Sequence, residues 1–564
     1  MSEAAIAGVA DAPQRIKPYA WLVLGLLCFI YIFNFLDRQL MSILIESIKR
    51  DTGFTDSQMG MMTGFYFALF YTVFGVIVGA IADRTSRKYI LGAGAILWSI
   101  FTALCGMAQS YPQMLAARVG VGVGEAAGAP PSYSIISDYF PPEKRGLALA
   151  LFSLGVPFGQ ALGAAFGAQM DATIGWRNAF IYIGAAGIFA AIIMLIFVRE
   201  PKRGAMDANA NVSLAQAHAN ASEKASFTST IWEFVNRPML LWAALACGLC
   251  SFVGYCALGW NASFLIRVKG ITREELAIWY AGMLAVSMGL GTWFSGAIVD
   301  WLAKRSRVWY ALLPAIAFTL ATPFWFAYVW APTWEMSVAV LALPTFFTIM
   351  YLAPALAIVQ NSVKPSQRTM SGAILLMVLN IIGLGGGPTM VGFLSDIFGK
   401  EAAASGMDAA AAGAQGLQTA FYWVTPFYLV AVAFLLLEAS AIRREIKAGG
   451  IIRDGGFRLG IVLSIVGLVG LYLRFQGLGL PGTFLNIDRL SQFGTQELTG
   501  QIDTVMDVFF SLALTIFAAW GLYLFGKGLT RKTATALDDF RSDESAARHT
   551  RVARPFDSIG VILG

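Results

Sequence analysis

Apolar runs long enough to cross a bilayer recur along this chain, and no other feature restricts its fold as strongly. A spanning helix needs about 20 mainly apolar residues. Such runs stand at about 19–46, 57–82, 88–108, 112–140, 146–169, 177–198, 238–266, 275–302, 307–329, 334–362, 369–397 and 418–442. Two more follow at about 458–475 and 504–527. The first, from about Tyr19, is too long for a signal-peptide core and lacks a small-residue cleavage site, so it reads as a membrane helix. Composition agrees: 57% of the residues are hydrophobic and 13% charged, with a mean hydropathy of +0.65. Ordinary soluble domains are about 45–50% apolar and about 25% charged. There is too little charge here to coat several soluble domains. The predicted fold class is an all-α membrane protein.

Charge placement sets the expected topology. Lys and Arg gather in alternate short loops, as at Arg84, Arg87 and Lys88, Lys144 and Arg145, Lys202 and Arg203, and Lys304 and Arg305. Cytoplasmic loops carry this excess, so both termini are expected in the cytoplasm, in a plasma or inner membrane. The net charge of +6 is therefore a topology signal and does not point to nucleic acid. Two motifs repeat. Gly79-Ala80-Ile81-Ala82-Asp83 recurs as Gly296-Ala297-Ile298-Val299-Asp300, and Pro142-Glu143-Lys144-Arg145 recurs as Pro365-Ser366-Gln367-Arg368. The offsets, 217 and 223 residues, are similar, which indicates a duplicated bundle. The expected organisation is a six-helix bundle at 1–198, a cytoplasmic linker at 199–237, a second six-helix bundle at 238–447, a two-helix extension at 448–532 and a tail at 533–564. The stretch 402–415 is low in complexity and reads as a flexible outer loop.

Several chemistries find no support. The two histidines, His218 and His549, lie in polar segments, so no histidine is available to carry protons inside the membrane. The five cysteines sit in apolar runs and suggest no disulfide framework. Gly122-Val123-Gly124 mimics part of a dinucleotide fingerprint but lacks a preceding strand. Gly521 to Lys527 mimics a P-loop, but Gly528 follows where Ser or Thr is needed. No metal-ligand cluster or nucleophile–base pair emerges, so no cofactor and no enzyme activity is expected.

The signature Gly79, Asp83, Arg84, Arg87 and Lys88 resembles that of the major facilitator superfamily, with Ser86 where the family usually has glycine. The resemblance covers about 19–447 and implies a six-plus-six helix bundle; the two additional C-terminal helices depart from it. It also implies that Gly79, Asp83, Arg84, Arg87 and Lys88 form a gating latch between the halves. Within the superfamily, Asn34-Phe35-Leu36-Asp37-Arg38, the stretch Arg118 to Glu125, and Ser137 to Arg145 resemble the spinster-like lipid transporters. That resemblance implies lysophospholipid or sphingosine-phosphate substrates and proton coupling. Organic-anion symporters share the Asn-x-x-Asp-Arg element.

A charge in hydrocarbon costs at least ~2.5–3.5 kcal/mol, so each needs a reason. Asp37, Arg38, Arg118 and Glu125 lie inside the apolar runs of the amino half. Arg118 and Glu125 share one helix face but stand ~10 Å apart along the axis. Asp37 and Arg118 fall at similar depth and could pair across helices. Asp37 and Arg38 are ~100° apart and cannot share a face. A buried carboxylate whose partner arginine moves away changes its proton affinity. Glu125 and Asp37 are thus the candidate proton carriers. Arg118 and Arg38, with Asn34, are candidates to bind an anionic group, since guanidinium suits phosphate and carboxylate. Tyr255, Asn261, Phe346 and Met350 are candidate wall residues in the carboxyl half. Pro130-Pro131 is expected to kink the fourth helix beside Glu125.

The expectation is a monomeric secondary transporter that couples protons to an amphipathic anionic lipid. A symporter of small organic anions and a non-transporting membrane sensor are the alternatives.

Overall fold

The computed structural model describes residues 16–82, 84–206, 227–363, 367–449 and 451. Asp83, Lys364, most of the 199–237 linker, the runs at 458–475 and 504–527 and the tail lie outside the described residues. Every regular element among the described residues is helical.

Helix α1 (Pro18–Thr52) opens on a proline at its first turn and ends where Gly53 takes a φ of 72°. Thr55 and Gln58 then cap α2 (Asp56–Thr63) reciprocally. A kink at Gly64 leads into α3 (Phe65–Ala82). A Cβ at Gly64 would lie 2.6 Å from the Thr389 hydroxyl and 2.8 Å from the Gly60 carbonyl, so only glycine fits. The amino half continues with α4 (Arg87–Met107), α5 (Tyr111–Glu125), α6 (Ala129–Tyr139), α7 (Pro142–Ser153), α8 (Gly155–Ile174) and α9 (Trp176–Phe197). The short α10 (Phe227–Asn236) precedes α11 (Pro238–Arg267). A turn at Arg273–Glu275 and a π-helical turn at Leu276–Tyr280 open α12 (Ala281–Ala303). Then come α13 (Trp309–Trp330), α14 (Trp334–Thr348), α15 (Leu352–Ser362), α16 (Arg368–Leu379), a π-helical turn at Asn380–Gly385, α17 (Gly386–Ala404) and α18 (Ala409–Ala448).

Eleven helical stretches among the described residues are long and apolar enough to cross a membrane. The run expected at 112–140 is divided into α5 and α6, of 15 and 11 residues. Pro130 and Pro131 cause the break, because proline supplies no N–H and clashes with the preceding turn. Local bonds recover part of the freed backbone: the Gly128 N–H donates to the Glu125 carbonyl at 2.9 Å, and Ser132 Oγ donates to the Gly128 carbonyl at 2.7 Å. The expected loop at 402–415 is instead mostly helical. Only Ser405–Asp408 interrupts it. Alanine is the strongest helix former, and the Asp408 carboxylate accepts the N–H groups of Ala410 and Ala411 to start α18.

Contacts sort the described residues into two units: those up to Thr230 with Trp242–Arg443, and Ile231–Leu241 with those from Arg444. In the first unit, α1 packs along α8 and α4 along α9. Small residues permit that approach: a Cβ on Gly159 would stand 2.6 Å from the Ile32 carbonyl. The carboxyl half is held by buried aromatic rings, with Phe421 stacked on both Phe264 (4.6 Å) and Trp325 (5.4 Å). In the second unit, Arg237 grips Glu445 with two bonds of 2.9 and 2.8 Å.

The α1–α8 contact yields a direct check. Gly159→Val forces the two backbones apart and is expected to cost about 1–3 kcal/mol, read as a lowered Tm in detergent. An unchanged Tm contradicts the packing.

Candidate functional site

The four charges of the amino half converge. Arg38 Nε donates to Glu125 Oε2 at 2.5 Å. The side chain of Arg38 is 10% exposed and that of Glu125 0%. Glu125 is the last residue of α5, so the proline-induced break places its carboxylate at a helix end. The Arg38 guanidinium also lies over the rings of Phe35 (4.9 Å), Phe67 (5.2 Å) and Tyr71 (4.6 Å). Tyr255, from α11, is within hydrogen-bonding reach of the same guanidinium. The site therefore draws on both halves of the bundle.

Arg118 does not pair with Asp37. Its guanidinium sits 5.1 Å from the Phe67 ring, so one phenyl group lies beside both arginines. Asp37 Oδ2 instead accepts the Thr102 hydroxyl, and Arg118 acts on Asp37 only through space. Asp37 and Arg118 are each 2% exposed. Cation–aromatic contact spreads a positive charge over apolar surroundings without using its donors. Those donors stay available: Arg118 Nε and Nη1, Arg38 Nη2 and Asn34 Nδ2 have no hydrogen-bond partner. The acceptors Asp37 Oδ1 and Glu125 Oε1 also lack one. Buried polar atoms left unmade are costly and normally few. Six such atoms gather in this one cluster. Asn34 borders it at the helix break, 3.5 Å from where a Cβ on Gly128 would stand.

The carboxyl-half candidates divide. Tyr255 joins the cluster. Asn261 is 2% exposed and accepts the Tyr328 hydroxyl at 3.1 Å, which ties it to the aromatic core. Phe346 packs on Phe294 (5.8 Å), and the Met350 carbonyl accepts Ser295 Oγ at 3.1 Å; both contacts run to α12.

At one end of the bundle the halves are bridged by ion pairs. Arg267 of α11 binds Glu46 of α1 and Asp56 of α2, each at 2.6 Å. Lys49 adds a second cation to Asp56, and Arg273 pairs with Asp171 of α8. The Asp396 carboxylate, on α17, accepts the backbone N–H groups of Asp56 (3.1 Å) and Ser57 (2.8 Å). A carboxylate at a helix N-terminus satisfies orphan donors and opposes the dipole. Here the cap comes from the other half of the chain.

The opposite end holds the signature. Gly79 lies on α3 and Arg84 is exposed, while Asp83 lies outside the described residues. Arg87 is buried and pairs with Asp138 at 2.5 Å and Glu200 at 2.8 Å. The Lys88 backbone N–H donates to Glu200 Oε2 at 2.8 Å. Burial works against the Glu200 carboxylate, but the Lys88 N–H, Arg87 and Ser86 together hold its pKa below the usual range. Sequence reasoning cited Asp138 only as part of the stretch Ser137 to Arg145 and gave it no partner, and it missed Glu200 and, around the cluster, Phe67, Tyr71 and Thr102. An acid near a basic loop looks like surface decoration until the fold shows which cation it meets.

A family model described as Major Facilitator Superfamily matches residues 27–331. The chain belongs to that superfamily. Within it the chain is spinster-like. A crystal structure of a bacterial homologue of the human lysosomal transporter spinster, inward-facing and unoccupied, is 30% identical, with a TM-score of 0.68 over 76% of this chain and 98% of that one. An MFS-type efflux pump of Mycolicibacterium smegmatis is 30% identical over 76% of this chain and 94% of its own length. A probable L-galactonate transporter of Escherichia coli is 27% identical over 56% and 71%.

The Glu200 contacts carry a pH signature. A carboxylate with a depressed folded pKa stabilises the fold above its unfolded pKa, near 4.3, and loses that contribution as pH falls through the folded value. Glu200→Gln is expected to lower Tm at neutral pH, with the gap to wild type closing as pH drops below about 4. A gap independent of pH contradicts this assignment.

Proposed function

We propose that the chain is a proton-coupled transporter that moves an amphipathic anion, of the lysophospholipid or sphingosine-phosphate class, by alternating access between two six-helix halves. The observation that carries this reading is the buried Arg38–Glu125 pair with unpartnered Arg118 donors beside it. A phosphate or carboxylate entering the cluster satisfies Arg118 and competes with Glu125 for Arg38, since planar guanidinium binds such groups through paired N–H donors. Glu125, once deprived of Arg38, is a buried carboxylate without its ion-pair partner and takes up a proton. Anion and proton are thereby bound together through charge alone. Asp37, held by Thr102, faces the charge of Arg118 through space.

Alternating access needs one closed end. The pairs around Arg267 and Asp396 provide it. With the Arg87 end in the cytoplasm, as the loop charges indicate, this conformation faces inward, like the similar bacterial spinster homologue. Phe67, Tyr71 and Phe35 around the arginines offer an apolar wall beside the charge, which suits an amphipathic solute. A small organic anion is the second reading, favoured by the similarity to the L-galactonate transporter.

Flux into proteoliposomes under an imposed pH gradient tests the proposal, with labelled sphingosine phosphate and labelled galactonate as parallel probes. Glu125→Gln is expected to abolish gradient-driven uptake of the accepted probe and to spare exchange. Gradient-driven uptake that survives in Glu125→Gln removes Glu125 as the carrier. Preference for galactonate supports the small-anion reading.

A further inference from the structure

The carboxyl half holds a buried carboxyl group that the site above does not use. Glu438 lies in α18 and is 3% exposed. Ten residues separate it from the end of α18 at Ala448, so it sits ~15 Å inside the helix. Its Oε1 has no hydrogen-bond partner. Its carboxyl acts through space on two thiols of α11, those of Cys247 and Cys250, 2% and 0% exposed. The same two thiols act on Tyr351. One turn back along α18, Phe434 meets Trp242 edge-on at 5.6 Å and seals the seam between α18 and α11.

The contrast with Glu125 is chemical. Glu125 faces an arginine at 2.5 Å. Among the described residues no basic side chain acts on Glu438. On its own helix, Arg443 and Arg444 are exposed and Glu445 is held by Arg237. A thiol and a phenol supply no positive charge. An ionised carboxylate with neither cation nor hydrogen-bond donor is not tolerated in such surroundings, and the group neutralises instead. A merely structural filler at this place would be cheaper as methionine or leucine. An ionisable group here is a functional-site hypothesis by default.

We propose that Glu438 is a proton-binding site in the carboxyl half, separate from Glu125, which holds its proton in this conformation and releases it to water only when the α11–α18 seam opens. The inference deepens the proton-coupled reading, but its test needs no substrate, so either can fail without the other.

The test is pH-difference infrared spectroscopy of the purified full chain in nanodiscs. A protonated carboxylic acid in an apolar site gives a C=O stretching band distinct from that of a carboxylate. The expected result is such a band at neutral pH that diminishes on alkalinisation, is lost in Glu438→Gln and persists in Glu125→Gln. A band unchanged in Glu438→Gln, or one that does not respond to pH, overturns the proposal. Glu438→Met is the second variant, apolar and of similar length. It is expected to fold with unchanged or higher Tm, because the native group is uncharged here. A large fall in Tm shows that a charge is needed at this position and overturns the proposal as well.

Discussion

A guanidinium and a carboxylate held 2.5 Å apart inside an apolar bundle set the conditions for everything around them. Neither Arg38 nor Glu125 is tolerable there alone. Each holds the other in place, and each becomes reactive when the other is taken away. The rings of Phe35, Phe67 and Tyr71 soften the cost for Arg38 without consuming its N–H donors. Arg118 repeats the device with the same Phe67 ring. The result is a buried cluster of two arginines and two carboxylates that is short of hydrogen bonds.

The helix break makes this geometry possible. An unbroken fourth helix would carry Glu125 in mid-span, its carboxylate fixed to a regular helix face. Pro130 and Pro131 end α5 at Glu125 and restart the chain at Ala129. Discontinuous helices at mid-membrane are where transporters bind their ligands. The two ends of the bundle then serve different purposes. One is clasped across the halves by Arg267, Arg273 and the Asp396 cap on α2. The other is tied within the amino half by Arg87, Asp138 and Glu200. Exchanging which end is clasped is the movement that alternating access requires.

Much of this was legible in the sequence. Run length and hydropathy are sufficient to give the helices, because the bilayer fixes how many apolar residues a span needs. The cost of burying charge pointed to Asp37, Arg38, Arg118 and Glu125, and the prolines to the break beside them. What failed was pairing. Depth along a helix placed Asp37 level with Arg118, but rotation about the helix axes decides which groups meet, and that is set by small residues such as Gly159 that a run of hydropathy does not distinguish. The expected loop at 402–415 failed for a simpler reason: low complexity was read as flexibility, although alanine favours helix. Glu438 was open to the same reasoning that found Glu125, as it lies within the run at 418–442. The residues that bridge the halves were beyond reach, since Glu46, Asp171 and Asp396 become partners only through contacts distant in sequence.

The central claim is that an anion takes Arg38 from Glu125 and thereby binds together with a proton. Proton uptake on ligand addition, followed with a pH indicator in weakly buffered solution, measures it directly. Sphingosine phosphate and galactonate are added in turn to the purified protein near neutral pH. The account predicts uptake of about one proton per bound anion in the wild type and none in Glu125→Gln. Binding without proton uptake in the wild type, or equal uptake in Glu125→Gln, contradicts it.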